Sequence, residues 1–148
     1  MAGVLCTTIT HSEELILSGS VIGAVCVVRL ESGHLIGRLE HHRGMITCIS
    51  VNSEDDIFAT GSTDSSVTIW SLETLCVLNQ IFLPKPILHM DISLDSTFLM
   101  LALEDNKVHV RALTTGSEIH ILQVRIGQEV WKIKRLSLGG KCESIKCA

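Results

Sequence analysis

Four groups of residues carry side-chain types that catalysis or ligand binding could use. The first is hydroxyl, imidazole and carboxylate: a Ser or Thr such as Thr60 or Ser62, with His42 and Asp64, has the makings of a nucleophile, a base and an orienting acid. The second is imidazole and thiol, in His41-His42 near Cys48 and in Cys142 with Cys147. Structural zinc uses two spaced ligand pairs, and neither set supplies them. The third is Gly139-Gly140-Lys141-Cys142. A phosphate-binding loop needs Gly five residues before its second Gly and Ser or Thr after its Lys; here those places hold Arg135 and Cys142. The fourth is Asp55-Asp56, which stands among Asn52, Ser53 and Glu54 and reads as a solvated hairpin turn, not an acid/base pair. No cofactor and no metal is expected.

The elements that position these residues come in repeats. A shift of 42 residues lays Cys6-Thr7-Thr8-Ile9 on Cys48-Ile49-Ser50-Val51, and Val25-Cys26-Val27-Val28 on Val67-Thr68-Ile69-Trp70. A further shift of 41 lays Asp64-Ser65-Ser66-Val67-Thr68-Ile69 on Asp105-Asn106-Lys107-Val108-His109-Val110. Within each copy the apolar residues alternate, as in a strand, and Asp, Asn, Ser and Gly gather between the runs, as in turns. Each copy is expected to form four strands: 4–10, 15–20, 24–30 and 34–39; then 45–51, 57–62, 66–72 and 75–82; then 87–93, 97–103, 107–113 and 118–124. Pro84 and Pro86 stiffen the link between the second and third copies. A four-stranded unit repeating every 41 to 42 residues is a propeller blade, whose sheet is covered on both faces. That covering explains uninterrupted apolar runs such as Phe98-Leu99-Met100-Leu101-Ala102-Leu103.

Composition narrows the class. The 148 residues make one domain-sized unit, 46% apolar and 3% aromatic, so the core is aliphatic. The longest uncharged stretch, Leu15 to Val28, is broken by Ser18-Gly19-Ser20 and is too short to span a bilayer. The N-terminus lacks the basic region of a secretory signal, and the six cysteines include no C-x-x-C, which fits a reduced, cytoplasmic protein. The net charge of −4 is segregated: residues 125–148 hold six bases and two acids, the preceding 124 six bases and fourteen acids. The basic segment is expected to be a solvated tail, with its start, Val130 to Leu138, as the first strand of a further blade; nucleic-acid contact through it is the weaker alternative.

The second copy resembles the WD-repeat family. Its His42-x-x-x-Ile46-x-x-Ile49-x-Val51 is similar to the family's Gly-His turn and first strand, with His41 in place of Gly. Its Ala59-Thr60-Gly61-Ser62-Thr63-Asp64-Ser65-Ser66-Val67-Thr68-Ile69-Trp70-Ser71 is similar to the Ser-Gly-Ser-x-Asp-x-x-Val-x-Ile-Trp-Asp stretch. The resemblance implies a structural hydrogen-bond network on His42, Thr60, Asp64 and Trp70, with Ser62 second to Thr60 for the hydroxyl; a buried indole N–H needs such an acceptor. This structural role is preferred to the catalytic triad. The first copy has Ile22 and Val28 where the family has Asp and Trp; the third keeps Asp105 but has Arg111 for Trp and Ala102 for Gly. Neither is expected to build the network. A finer resemblance, to proteins joining an NTP-binding NACHT-type module to WD repeats, carries no site residue.

The expected architecture is therefore all-β, a partial β-propeller of three WD-type blades at about 4–40, 41–83 and 84–124, with residues 125–148 as a basic C-terminal segment. Propellers close with about 4 to 8 blades, so the ring is not closed by this chain alone and a fragment or truncated form of a longer protein is expected. The function expected is a protein-protein interaction scaffold without catalysis, with other proteins or further blades as partners. Arg43, Thr63 and Ser65 are the candidate exposed, partner-facing positions. The alternative is the sensor or docking end of a larger regulatory enzyme such as an NTPase.

Overall fold

The computed structural model describes residues 3–123, 130–132 and 145–147. It is all-β, and no helix among the described residues is long and apolar enough to cross a membrane. The first blade is β1 (Val4–Ile9), β2 (Leu15–Ser20), β3 (Ala24–Arg29) and β4 (Leu35–Glu40). The middle blade is β5 (Ile46–Val51), β6 (Ile57–Ser62), β7 (Ser66–Ser71) and β8 (Val77–Phe82), and the third is β9 (Ile87–Ile92), β10 (Phe98–Leu103), β11 (Lys107–Ala112) and β12 (Glu118–Gln123). Each is an antiparallel meander with its strands in chain order. A separate pair, β13 (Val130–Lys132) and β14 (Ile145–Cys147), is antiparallel with Val130 opposite Cys147. The expected strand from Val130 is thus three residues long and paired with the chain's end, and the rest of the basic segment lies outside the described residues.

The repeat governs the backbone as well as the sequence. Three turn positions in every blade adopt positive φ, and they recur at the same spacing: Glu13, Asp55 and Ser96; Gly23, Ser65 and Asn106; Gly33, Leu75 and Gly116. Register shifts recur too, between Val27 and Val28, Ile69 and Trp70, and Val110 and Arg111. Leu75 is the costly member of this set, because a large side chain at φ 57° is strained where its counterparts are glycine. Its turn delays the fourth strand to Val77, so Cys76, expected within a strand, is an exposed loop residue.

Apolar residues between blades form two clusters. One joins Leu17, Val25 and Val27 of the first blade to Ile46, Phe58, Trp70 and Leu72 of the middle one. The other joins Ala59, Val67 and Ile69 of the middle blade to Met90, Leu99, Leu101 and Leu103 of the third. The middle blade therefore buries both a forward face, toward the higher-numbered neighbour, and a back face. The back face of the first blade and the forward face of the third have no neighbouring blade in this set of three, and the ring is open.

Candidate functional site

The sharpest polar constellation lies at the junction of the first two blades, at the end where β4 hands over to β5. His42 follows β4, Thr60 is in β6, Asp64 is in the β6–β7 turn, and Ser66 and Trp70 are in β7. Trp70 Nε1–H donates to Thr60 Oγ1 at 2.9 Å, and Thr60 Oγ1 lies 2.8 Å from His42 Nε2. His42 Nδ1 lies 3.2 Å from Asp64 Oδ2 and 3.1 Å from Ser66 Oγ. The ionised Asp64 can only accept, so His42 turns Nδ1–H toward it; Nε2 then accepts the Thr60 hydroxyl proton, and Thr60 Oγ1 accepts the Trp70 N–H. Asp64 also accepts the backbone N–H of Arg43 at 2.8 Å, the N–H of Ser66 at 2.9 Å and the Ser66 hydroxyl at 2.6 Å. Aromatic packing closes the group: Phe58 stacks on Trp70 with ring centroids 5.9 Å apart, and His41 meets Trp70 edge-on at 5.7 Å.

Burial and charge set the protonation states. Desolvation lowers the His42 pKa below the ordinary histidine value, against the opposing pull of Asp64, so the imidazole is neutral near pH 7. Partial burial pushes the Asp64 carboxyl up, but the Ser66 hydroxyl, the Arg43 N–H and His42 outweigh it and bring the pKa to about 2. The hydroxyl, imidazole and carboxylate do stand in triad order. Thr60 and the His42 side chain, however, are 0% exposed, and the Thr60 oxygen already serves Trp70. No substrate can reach that oxygen, so the arrangement fastens a loop to a sheet.

The structure links His42, Thr60, Asp64 and Trp70 in one hydrogen-bonded chain running from Trp70 through Thr60 and His42 to Asp64. Ser62 is apart from them, its hydroxyl accepting the Asp64 N–H at 3.1 Å. Ser66 is the member sequence reasoning missed; Asp-x-Ser at the end of a tight turn, with the carboxylate positioned for the Ser N–H, is the signal that could have found it. Of the candidate partner-facing residues, Arg43 is exposed, whereas Thr63 and Ser65 are half-buried. Thr63 is drawn in because its hydroxyl accepts the Met45 N–H at 3.0 Å, and Ser65 because it turns the chain at φ 66°. Asp55, expected as a solvated turn residue, instead accepts the N–H groups of His11 at 2.8 Å and Ser12 at 2.7 Å, tying the middle blade to the first.

The flanking blades close their equivalent turns differently. In the first, Ser20 Oγ donates to the Ala24 carbonyl at 2.9 Å. In the third, which was not expected to build the middle blade's network, Asp105 accepts the Lys107 N–H at 2.9 Å and lies 3.2 Å from Nε2 of the buried His109, a residue of its own hairpin. Arg111, at the place of Trp70, reaches Glu118 at 3.0 Å. Among the described residues no three His, Cys, Asp or Glu side chains gather as a metal site, while Cys142 and Gly139-Gly140-Lys141 lie outside them. The inner strands β1, β5 and β9 border a cleft of about 380 Å³ lined by Thr8, His11, Ser50, His89 and Asp91 among others.

Residues 33–71, from the turn before β4 through β7, match the WD domain, G-beta repeat family. The chain is similar to Protein SPIRRIG of Arabidopsis thaliana, 31% identical over 86 residues that make up 53% of this chain and 2% of that protein. It is also similar to eukaryotic translation initiation factor 3 subunit I of Vanderwaltozyma polyspora, 29% identical over 101 residues, 67% of this chain and 29% of that one. Among solved structures, the WD40 repeats of RRP9 superpose with a TM-score of 0.80 at 16% identity, over 84% of this chain and 39% of that chain. The fold is thereby that of WD40 propeller blades, and the chain spans only a minor part of each of these three proteins.

Proposed function

We propose that these WD-type blades act as a protein-interaction scaffold whose contact rim is the His42–Asp64 end. The observation that carries the reading is the bond from the Arg43 N–H to Asp64 Oδ2 at 2.8 Å. The carboxylate that receives it is anchored through His42 and Ser66 to the sheet, so an exposed Arg side chain stands on a loop with little freedom to move. A rigidly presented Arg loses less entropy on binding than a mobile one, and Arg is enriched among residues that dominate interfaces. The same anchoring leaves the interior chemically idle and the rim free to vary.

The test compares wild type with Arg43→Ala by quantitative proximity labelling in cells, with a thermal melt of each purified protein. Loss of a defined set of neighbours at unchanged melting temperature supports the reading; an identical set overturns it.

A further inference from the structure

The two ends of the blades carry different chemistry. At the end away from His42, the six turns that join β1 to β2, β3 to β4 and onward to β11 and β12 hold eight Asp and Glu and neither Lys nor Arg. At the His42 end, the β4–β5 loop presents Arg43 and the β8–β9 link presents Lys85, both exposed. Of the acids at that end, Asp64 faces His42 and Asp105 faces His109 at 3.2 Å each, and Glu40 pairs with Arg38 at 2.7 Å. Glu104 is left, one blade away from Arg43. Among the described residues no carboxylate lies within ion-pair distance of the Arg43 or Lys85 side chain.

Large apolar side chains stand around these two bases: Ile22 is 56% exposed, Met45 42% and Phe82 73%. Their segments abut. A Cβ on Gly23, next to Ile22, would lie 2.8 Å from the Gly44 carbonyl oxygen, and a Cβ on Gly44 would lie 2.8 Å from the Asp64 nitrogen. On the far side of the Asp64 turn, the Leu83 N–H donates to the Ser65 carbonyl at 2.8 Å. Phe82 is directly opposite Ser66, and opposite residues share a face, so Phe82 stands on the side of the sheet that carries His42. The middle blade has a blade packed on each side, so its rim is exposed with its surroundings in place. Exposed apolar side chains gathered around bases without a carboxylate partner mark a contact surface. We propose that this rim takes an acidic protein segment in which carboxylates flank a large apolar side chain: the carboxylates reach Arg43 and Lys85 while the apolar side chain packs on Phe82 and Met45. An Arg fixed at its backbone offers a carboxylate a bidentate fork, and the acids at the opposite end of the blades steer such a segment to this one. Nucleic acid fits less well, because its affinity is built from many phosphate contacts and two bases supply few. The inference rests on the reading of the His42–Asp64 end as the contact rim and adds the chemistry of the partner.

The test selects displayed random peptides on the full chain and measures the enriched peptides by fluorescence anisotropy against wild type, Arg43→Ala and Phe82→Ala. The enriched peptides should carry net negative charge and at least one large apolar side chain, and each substitution should weaken their binding about tenfold or more. Both side chains are exposed, so the variants should melt with wild type; Lys85→Ala, at a third exposed position, supplies an independent arm if either melts lower. No enrichment, enriched peptides that are basic or uncharged, or equal competition by an RNA oligonucleotide of the same charge would each overturn the proposal. Uncharged peptides lost on Arg43→Ala would overturn the acidic partner and spare the rim, whereas acidic peptides that bind all three variants as tightly as wild type would overturn both.

Discussion

His109 Nε2 lies 3.2 Å from Asp105 Oδ2, the same separation as between His42 Nδ1 and Asp64 Oδ2 one blade earlier, but the two imidazoles arrive from different directions. His42 comes from the loop entering its blade, whereas His109 stands on the strand that leaves the turn, in the register position of Thr68. The third blade thus fastens its β10–β11 turn from within its own hairpin. The middle blade fastens its turn to an incoming loop, which fixes the loop as well as the turn.

That difference ranks two substitutions. Asp64→Asn should destabilise the protein more than Asp105→Asn, because Asp64 gathers His42, Ser66 and the Arg43 N–H while Asp105 gathers only His109 and the Lys107 N–H. Charge-assisted bonds contribute roughly 1.5–3 kcal/mol each. Urea unfolding of both variants checks the order, and hydrogen exchange at Arg43 should rise only in the first. Equal losses would show that the extra donors contribute nothing.

Thr60→Val removes one oxygen and strands two buried nitrogens, Trp70 Nε1 and His42 Nε2. Each buried polar group left unpaired costs about 1–3 kcal/mol, so the nearly isosteric change should cost at least that much, and Thr60→Ser should recover most of it. Denaturant titration of the three proteins decides the matter. A Val variant as stable as wild type would mean that the network carries no stabilisation.

Stability should fall with acid in two stages. The folded pKa of His42 lies below its unfolded value of about 6.5, so the unfolded chain binds the extra proton as pH drops through that value, and the folded state loses ground. Asp64 adds a second loss below about pH 4, since its stabilising contribution is present above the unfolded pKa and disappears as pH falls toward about 2. Melting temperatures from pH 8 to pH 3 should show both stages, and His42→Gln should flatten the first. A wild-type profile that is level between pH 7 and pH 5 would contradict the neutral, buried imidazole.

The strands were legible because a blade covered on both faces leaves a periodic apolar imprint, and two shifts of that imprint aligned three copies. Turn residues Asp64 and Asp105 were legible for the same reason. Ser66 and His109 were not, since a Ser after a turn and a His in a strand carry no periodic mark; only the folded hairpin shows that Ser66 shares Asp64 and that His109 reaches back to Asp105. Asp55 was misread as solvated because its partners, the His11 and Ser12 amides, are backbone groups on another blade, which side-chain patterns do not report. Thr63 and Ser65 were placed too far outward because turn membership says little about how deeply a short turn is set among its neighbours.

Leu75 and Gly37 form a size-matched pair across the first junction: a Cβ on Gly37 would lie 2.6 Å from Leu75 Cδ1. At the next junction Gly116 stands in the place of Leu75 and Asn79 in that of Gly37, and a hypothetical Cβ on Gly116 would lie 2.7 Å from Ile81 Cγ1 and 3.6 Å from Asn79 Nδ2. Leu75 accepts a left-handed backbone that Gly116 adopts freely, so its strain must be offset by packing against the neighbouring blade. Gly37→Ala should therefore destabilise by about 1–3 kcal/mol through overpacking. Leu75→Gly relieves the strain but empties the space, and the double variant should be more stable than the sum of the two losses, with a coupling of roughly 0.5–3 kcal/mol. Equilibrium unfolding of the four proteins closes the cycle. Strict additivity would mean that the two residues do not sense each other, and that Leu75 holds its backbone for reasons within its own turn.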